Sequence, residues 1–140
     1  MAFKYDVPLA QQTPTTDSKV VLTKSFKIDI AAGSGFTTAT TYDLGWLPKE
    51  AQVVSYVAVV ATAASGGGVT ASTLNLSVGG QTIFGVLNVL SAISTINGPL
   101  PSYMNNLSSV TTDQKVTYTP TNTTGNPTAG IIYVILTYVV

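Results

Sequence analysis

Ile131-Ile132-Tyr133-Val134-Ile135-Leu136-Thr137-Tyr138-Val139-Val140 is the stretch on which the fold turns. Every residue in it except Leu136 is β-branched or aromatic, and none is charged. Such side chains favour strands. Extended backbone sends successive side chains to opposite faces, so both faces of this strand are apolar. One face suits the domain's own core. The other calls for a second sheet, a partner subunit or a larger surface. That is the pattern of a β-rich protein that works by adhesion, not by catalysis.

The composition points the same way. The chain has 140 residues, one domain's length, and a formal charge of zero from six Lys against six acids. Charged residues make up 9% of it, against about 25% in ordinary globular proteins. Polarity comes from hydroxyls instead, with 22 Thr and 12 Ser. A neutral, Thr-rich surface suits contacts that ionic strength does not screen. There is no Arg for bidentate phosphate or guanine contacts and no basic stripe, so no nucleic-acid partner is expected. Without His or Cys the commonest general base, thiol nucleophile and metal ligands are missing. Neither an enzyme nor a cofactor is expected, nor a small-molecule substrate. Met1 to Leu9 has no apolar signal-like core, and the apolar run Val53 to Ala64 falls far short of a bilayer, so no membrane partner is expected.

Outward from the closing stretch, the chain divides into an extended arm, residues 1–18, and a β-sandwich, residues 19–140. The arm has Pro8 and Pro14 among Gln and Thr, with Phe3, Tyr5 and Leu9 as anchors for a neighbour. Val20, Leu22, Phe26, Ile28 and Ile30 alternate with Thr23, Ser25, Lys27 and Asp29, the mark of a half-buried strand, and Lys24 on its apolar side predicts an edge. Tyr42, Leu44 and Trp46 share a face that reads as inward. Val53 to Thr62 is apolar on both sides and reads as a central strand. Gly79-Gly80, between Leu74-Asn75-Leu76-Ser77-Val78 and Gln81-Thr82-Ile83-Phe84, predicts a two-residue hairpin turn. Phe84 to Ile96 reads as strand then loop, with a short amphipathic helix as the alternative. Asn97-Gly98-Pro99-Leu100-Pro101 reads as a turn and a rigid extended piece, and Tyr103 to Asn106 as an exposed loop. Val110, Thr112, Val116 and Tyr118 give a polar strand, with a turn or bulge at Asp113 to Lys115. The sum is an all-β fold, a single β-sandwich of jelly-roll type.

Candidate chemistry is sparse. The carboxylates are Asp6, Asp17, Asp29, Asp43, Glu50 and Asp113, and a glycosidase-like cleft would have to bring two of them together, for example Asp43 with Asp113; solvated positions are the plainer reading. Asn75, Asn106 and Asn122 each head an Asn-X-Ser/Thr triplet, and Asn122 with Asn126 could supply oxygens to a cation, but no carboxylate stands at the right spacing. An exposed aromatic could stack on a sugar and make the protein a carbohydrate-binding attachment module; Trp46 reads as core, which leaves Tyr103, in a Pro-flanked loop, as the better contact. The candidate interface set is therefore Phe3, Tyr5, Leu9, Tyr103, Tyr133 and Tyr138.

The stretch Tyr42-Asp43-Leu44-Gly45-Trp46-Leu47-Pro48-Lys49-Glu50-Ala51-Gln52-Val53-Val54, with the Val-rich run to Ala61-Thr62-Ala63, resembles small virion proteins of tailed bacteriophages. In these a D-L-G-x-L-P-x-x-A corner leads into a long central strand. Leu74-Asn75-Leu76-Ser77-Val78-Gly79 resembles their L-x-L-x-V-G strand. The resemblance spans residues 42–79, and the loop Gly66-Gly67-Gly68 is shorter than the family's. It implies a capsid cement or decoration protein: a β-sandwich subunit, often a homotrimer, made in the host cytoplasm and bound to the major capsid protein on the outside of the head. Another structural phage component (a head-fibre base, a tail or connector part, or a small jelly-roll capsid subunit) is the alternative.

Overall fold

The computed structural model describes residues 20–33, 35–91, 94–99 and 113–140. The arm, with Phe3, Tyr5 and Leu9, the loop holding Tyr103, and the segment of Val110 and Thr112 lie outside them. Among the described residues eight strands follow one another: β1 (Val21–Asp29), β2 (Tyr42–Leu47), β3 (Gln52–Ser65), β4 (Ala71–Val78), β5 (Gln81–Asn88), β6 (Ser94–Pro99), β7 (Gln114–Thr123) and β8 (Ala129–Val139). They form two four-stranded sheets in the orders β1-β8-β3-β6 and β2-β7-β4-β5. All the pairings are antiparallel. This is an eight-stranded jelly roll.

The core lies between the sheets. β8 sends Ile132, Val134 and Leu136 into it, all at 0% exposure, and β3 adds Ala58 and Val60. From the other sheet come Leu74, Leu76, Val78, Val116 and Tyr118. The Tyr118 ring stacks on Tyr42, centroids 5.2 Å apart, and its hydroxyl donates to the Gly35 carbonyl at 2.8 Å. Burial and the neighbouring Tyr42 push the Tyr118 phenol up to about 12. The hydroxyl of Tyr42 accepts from the Thr37 N–H at 3.0 Å, and hydrogen bonding with Thr37 lowers its pKa.

Turn chemistry sets the register where it is simplest. Gly79 and Gly80 have φ of 59° and 86°, the doubly positive pair that a tight hairpin needs, and Val78 faces Gln81 across it. At the far end of the sandwich Asn122 of β7 ties two loops and strand β4 together. Its side-chain amide donates to Phe36 O at 2.7 Å and Asn126 Oδ1 at 3.0 Å, and its oxygen accepts from buried Ser72. The residue that headed a triplet and suggested a cation ligand is a structural pin.

Three expectations change. Asn97, Gly98 and Pro99 are not a turn: they complete β6, where Pro99 is the last residue of an edge strand, a position that tolerates proline. Lys115 lies within β7, opposite Trp46, so the turn there ends by Gln114. Trp46 is not core. Between Asp43 and Gly45 the register with β7 slips by one residue, with Leu44 as the extra one. A slip of one reverses every side chain beyond it. Trp46 therefore points outward, 50% exposed.

Candidate assembly surface

β8 fills the role that its sequence announces. Its even-numbered residues enter the core, and Ile131, Tyr133, Ile135, Thr137 and Val139 face out. β3 lies beside it, with Val57 opposite Ile135 and Val59 opposite Tyr133. On the other side β1 sets Ser25 opposite Ile135 and Val21 opposite Val139. The outer surface of this sheet is thus an aliphatic strip two strands wide, running along β8 and β3 and bordered by hydroxyls. Its one charged margin is the β1 pair Lys27–Asp29, whose atoms are 3.7 Å apart. No described segment of the chain lies over it.

The strip owes its place to a face switch in β3. The register with β8 slips between Val53 and Ser55, so Val53 is buried while Val54 is exposed, and from Ser55 to Val59 the odd residues face out. Without that slip Val57 and Val59 would enter the core and Tyr56 and Ala58 would not. At the end of the strip Val20 and the first two residues of β1, Val21 and Leu22, are each at least 40% exposed. As the edge strand of its sheet among the described residues, β1 also has a described strand partner on one side only.

Of the candidate interface residues, Tyr133 stands on this surface at 39% exposure. Tyr138 is turned into the core at 8% and is not available to a partner from that face. The two differ by an odd number of residues, so on a regular strand they could not share a face. Phe3, Tyr5, Leu9 and Tyr103 lie outside the described residues. The sequence reading passed over Ile131, Ile135, Val57 and Val59, although the two-faced character of both strands was the signal for them.

Chemistry of other kinds finds little footing among the described residues. Asp43 pairs with Lys115 at 3.3 Å and Asp113 accepts from the Lys49 N–H at 3.2 Å, so each is engaged locally. No pocket opens among the described residues, and no three potential metal ligands gather there.

No protein-family model matches the chain, and no curated protein sequence matches it either. Solved structures do. A chain of the capsid of Ralstonia phage GP4 superposes with a TM-score of 0.60 at 21% identity, over 91% of this chain and 90% of that one. A chain of the cyanophage Pam1 capsid asymmetric unit gives 0.60 at 18% identity, over 90% and 89%. At such identities the likeness is one of fold, over nearly the whole of each chain: this protein has the jelly-roll fold found in chains of two phage capsids.

Proposed function

We propose that this protein is a structural component of a phage virion that binds the outer surface of the capsid and ties neighbouring capsid subunits together, as a cement or decoration protein. The aliphatic strip on β8 and β3, over which no described segment lies, carries the reading. Side chains of that kind in water represent unrealised burial, worth roughly 25 cal/mol for each Å² covered. A stable contact covers about 800 Å² per partner, a scale that a four-stranded sheet face with its margins can supply. The fold shared with chains of two phage capsids supports the same conclusion. In this reading the protein is a homotrimer, the major capsid protein is its partner, and many identical sites on one head multiply a modest single-site affinity.

The test is addition of the purified protein to undecorated heads, followed by measurement of DNA release on heating or on a change of salt. Binding with a delayed release supports the reading; no binding and no delay eliminates it. The mass in solution tests the oligomer, for which a trimer is expected. The end-to-end match with capsid chains also favours a second reading, a small jelly-roll capsid subunit or other structural phage part. Negative-stain labelling of virions separates the two.

A further inference from the structure

The opposite outer face, that of the β2-β7-β4-β5 sheet, has a different chemistry. In the middle of the face Thr117 of β7 lies opposite Ser77 of β4, and Thr119 opposite Asn75. Side chains here carry hydroxyls and amides, which both donate and accept hydrogen bonds. At the β2 edge of this polar field stands Trp46, the only tryptophan of the chain and half exposed. The Lys115 ammonium lies over the indole, 5.1 Å from its centroid, and 3.3 Å from Asp43 Oδ2. From β2, Asp43 faces Thr117. A flat aromatic ring, a carboxylate, an ammonium and two hydroxyls therefore follow one another across two strand spacings, about 10 Å.

We propose that this face is a binding platform for a neutral saccharide chain, with one sugar ring stacked on Trp46. A pyranose presents C–H bonds on its flat side and hydroxyls around its rim. The C–H side suits the electron-rich face of an indole. The rim needs partners of both senses: the Asp43 carboxylate accepts, the Lys115 ammonium donates, and Thr117 and Ser77 do either. The Lys115–Asp43 pair holds the ring in place beforehand, which lowers the ordering cost of binding. The surroundings argue against a protein hot spot, where a tryptophan sits in a desolvated centre; the neighbours of Trp46 are an ion pair and hydroxyls. They argue equally against an anionic ligand, because Lys115 is matched by Asp43. An open platform without a pocket binds each sugar chain weakly, and repeated copies raise the strength by avidity. This inference does not rest on the virion reading.

The lone tryptophan makes its own reporter. The full chain is titrated with cellohexaose, chitohexaose and maltohexaose, each followed by Trp46 emission, and is run through gels containing the corresponding soluble polysaccharides. A saturable blue shift with at least one sugar is expected, weakened about tenfold by Asp43→Asn. Retardation in the matching gel is lost in Trp46→Ala and kept in Trp46→Tyr, with unchanged thermal unfolding marking both variants as folded. The proposal is overturned if none of the three sugars shifts the emission or retards the protein. It is overturned too if Asp43→Asn binds as the parent does, or if Trp46→Ala loses attachment to heads, which would assign the ring to a protein contact.

Discussion

Replacing Ile135 and Leu136 by alanine, one at a time, separates the two faces of β8 by a single step along the chain. Leu136 is at 0% exposure, in the core with Val134 and Ile132. Truncating such a leucine costs about 2–5 kcal/mol, the spread reflecting how far the cavity collapses. That is a large part of the roughly 5–15 kcal/mol that holds a domain folded. At a few degrees per kcal/mol for a chain of this size, Tm should fall by roughly 10 °C or more. Ile135 is half-buried by Ser25 and Val57 on the flanking strands. Cross-strand pairs of this kind are worth about 0.2–1 kcal/mol, so Ile135→Ala should move Tm by a few degrees at most. Attachment to heads should respond in the opposite order. Ile135→Asp would bury an unpaired carboxylate in the contact and should abolish cosedimentation with heads, while Leu136→Ala, at a temperature where it is folded, should still sediment with them. Circular dichroism melts and the cosedimentation assay give the two readouts. Equal loss of Tm from both alanines, or full attachment by Ile135→Asp, would refute the assignment of the faces.

Other expectations follow from the core and the loops. Asn122→Ala removes the amide that holds Phe36 O and Asn126 Oδ1 and leaves the buried Ser72 hydroxyl without its acceptor; a loss of about 1–3 kcal/mol is expected in a denaturant melt. Gly80→Val places a branched side chain at φ 86° where no other atom lies within 4 Å, so the cost is one of backbone alone, about 1–2 kcal/mol. Phenolate absorbance should show one tyrosine titrating late, near 12, and lost in Tyr118→Phe. Because the folded pKa lies above the ordinary value of 10, the Tyr118 contribution is complete below pH 10 and declines as pH rises towards 12. Tyr42, its pKa lowered, ionises before it and strengthens the resistance of Tyr118 to losing its proton.

Local chemistry made much of this fold legible. β1 declares itself by alternation, β8 by its uncharged run of β-branched and aromatic residues, and Gly79-Gly80 by the turn that it permits. Lys24 marks an edge, and its ammonium does close the corner between β1 and β2 by donating to Trp46 O at 2.6 Å. What escaped were the places where one strand gains a residue on its neighbour. Leu44 and Val54 are both of that kind, and each reverses the apparent face of the residues that follow, Trp46 in β2 and Val57 and Val59 in β3. Nothing in an alternating pattern reveals such a slip, because it is decided by what lies across the interface. A Cβ at position 45 would stand 3.0 Å from the Phe26 ring, so that site takes a glycine under the opposing sheet. An isolated glycine after Asp43 was the available hint, since glycine inside a strand often marks a bulge. Asn97-Gly98-Pro99 misled for the complementary reason: turn residues join a strand when a long neighbour such as β3 supplies the ladder.

The last of the eight strands, β8, lies between β1 and β3 in the middle of its sheet. While a ribosome is still making the chain, β1 and β3 have no common neighbour, and their greasy inner sides stay open until translation has passed residue 139. Pairings that join distant parts of a chain form slowly, because the loop must close before any contact is gained. A fragment cut short before β8 would lack Ile132, Val134, Leu136 and Tyr138 of the core and the β8 half of the strip beside it. Presenting that outer surface therefore depends on β8 having slotted between β1 and β3, however much of the rest has already paired.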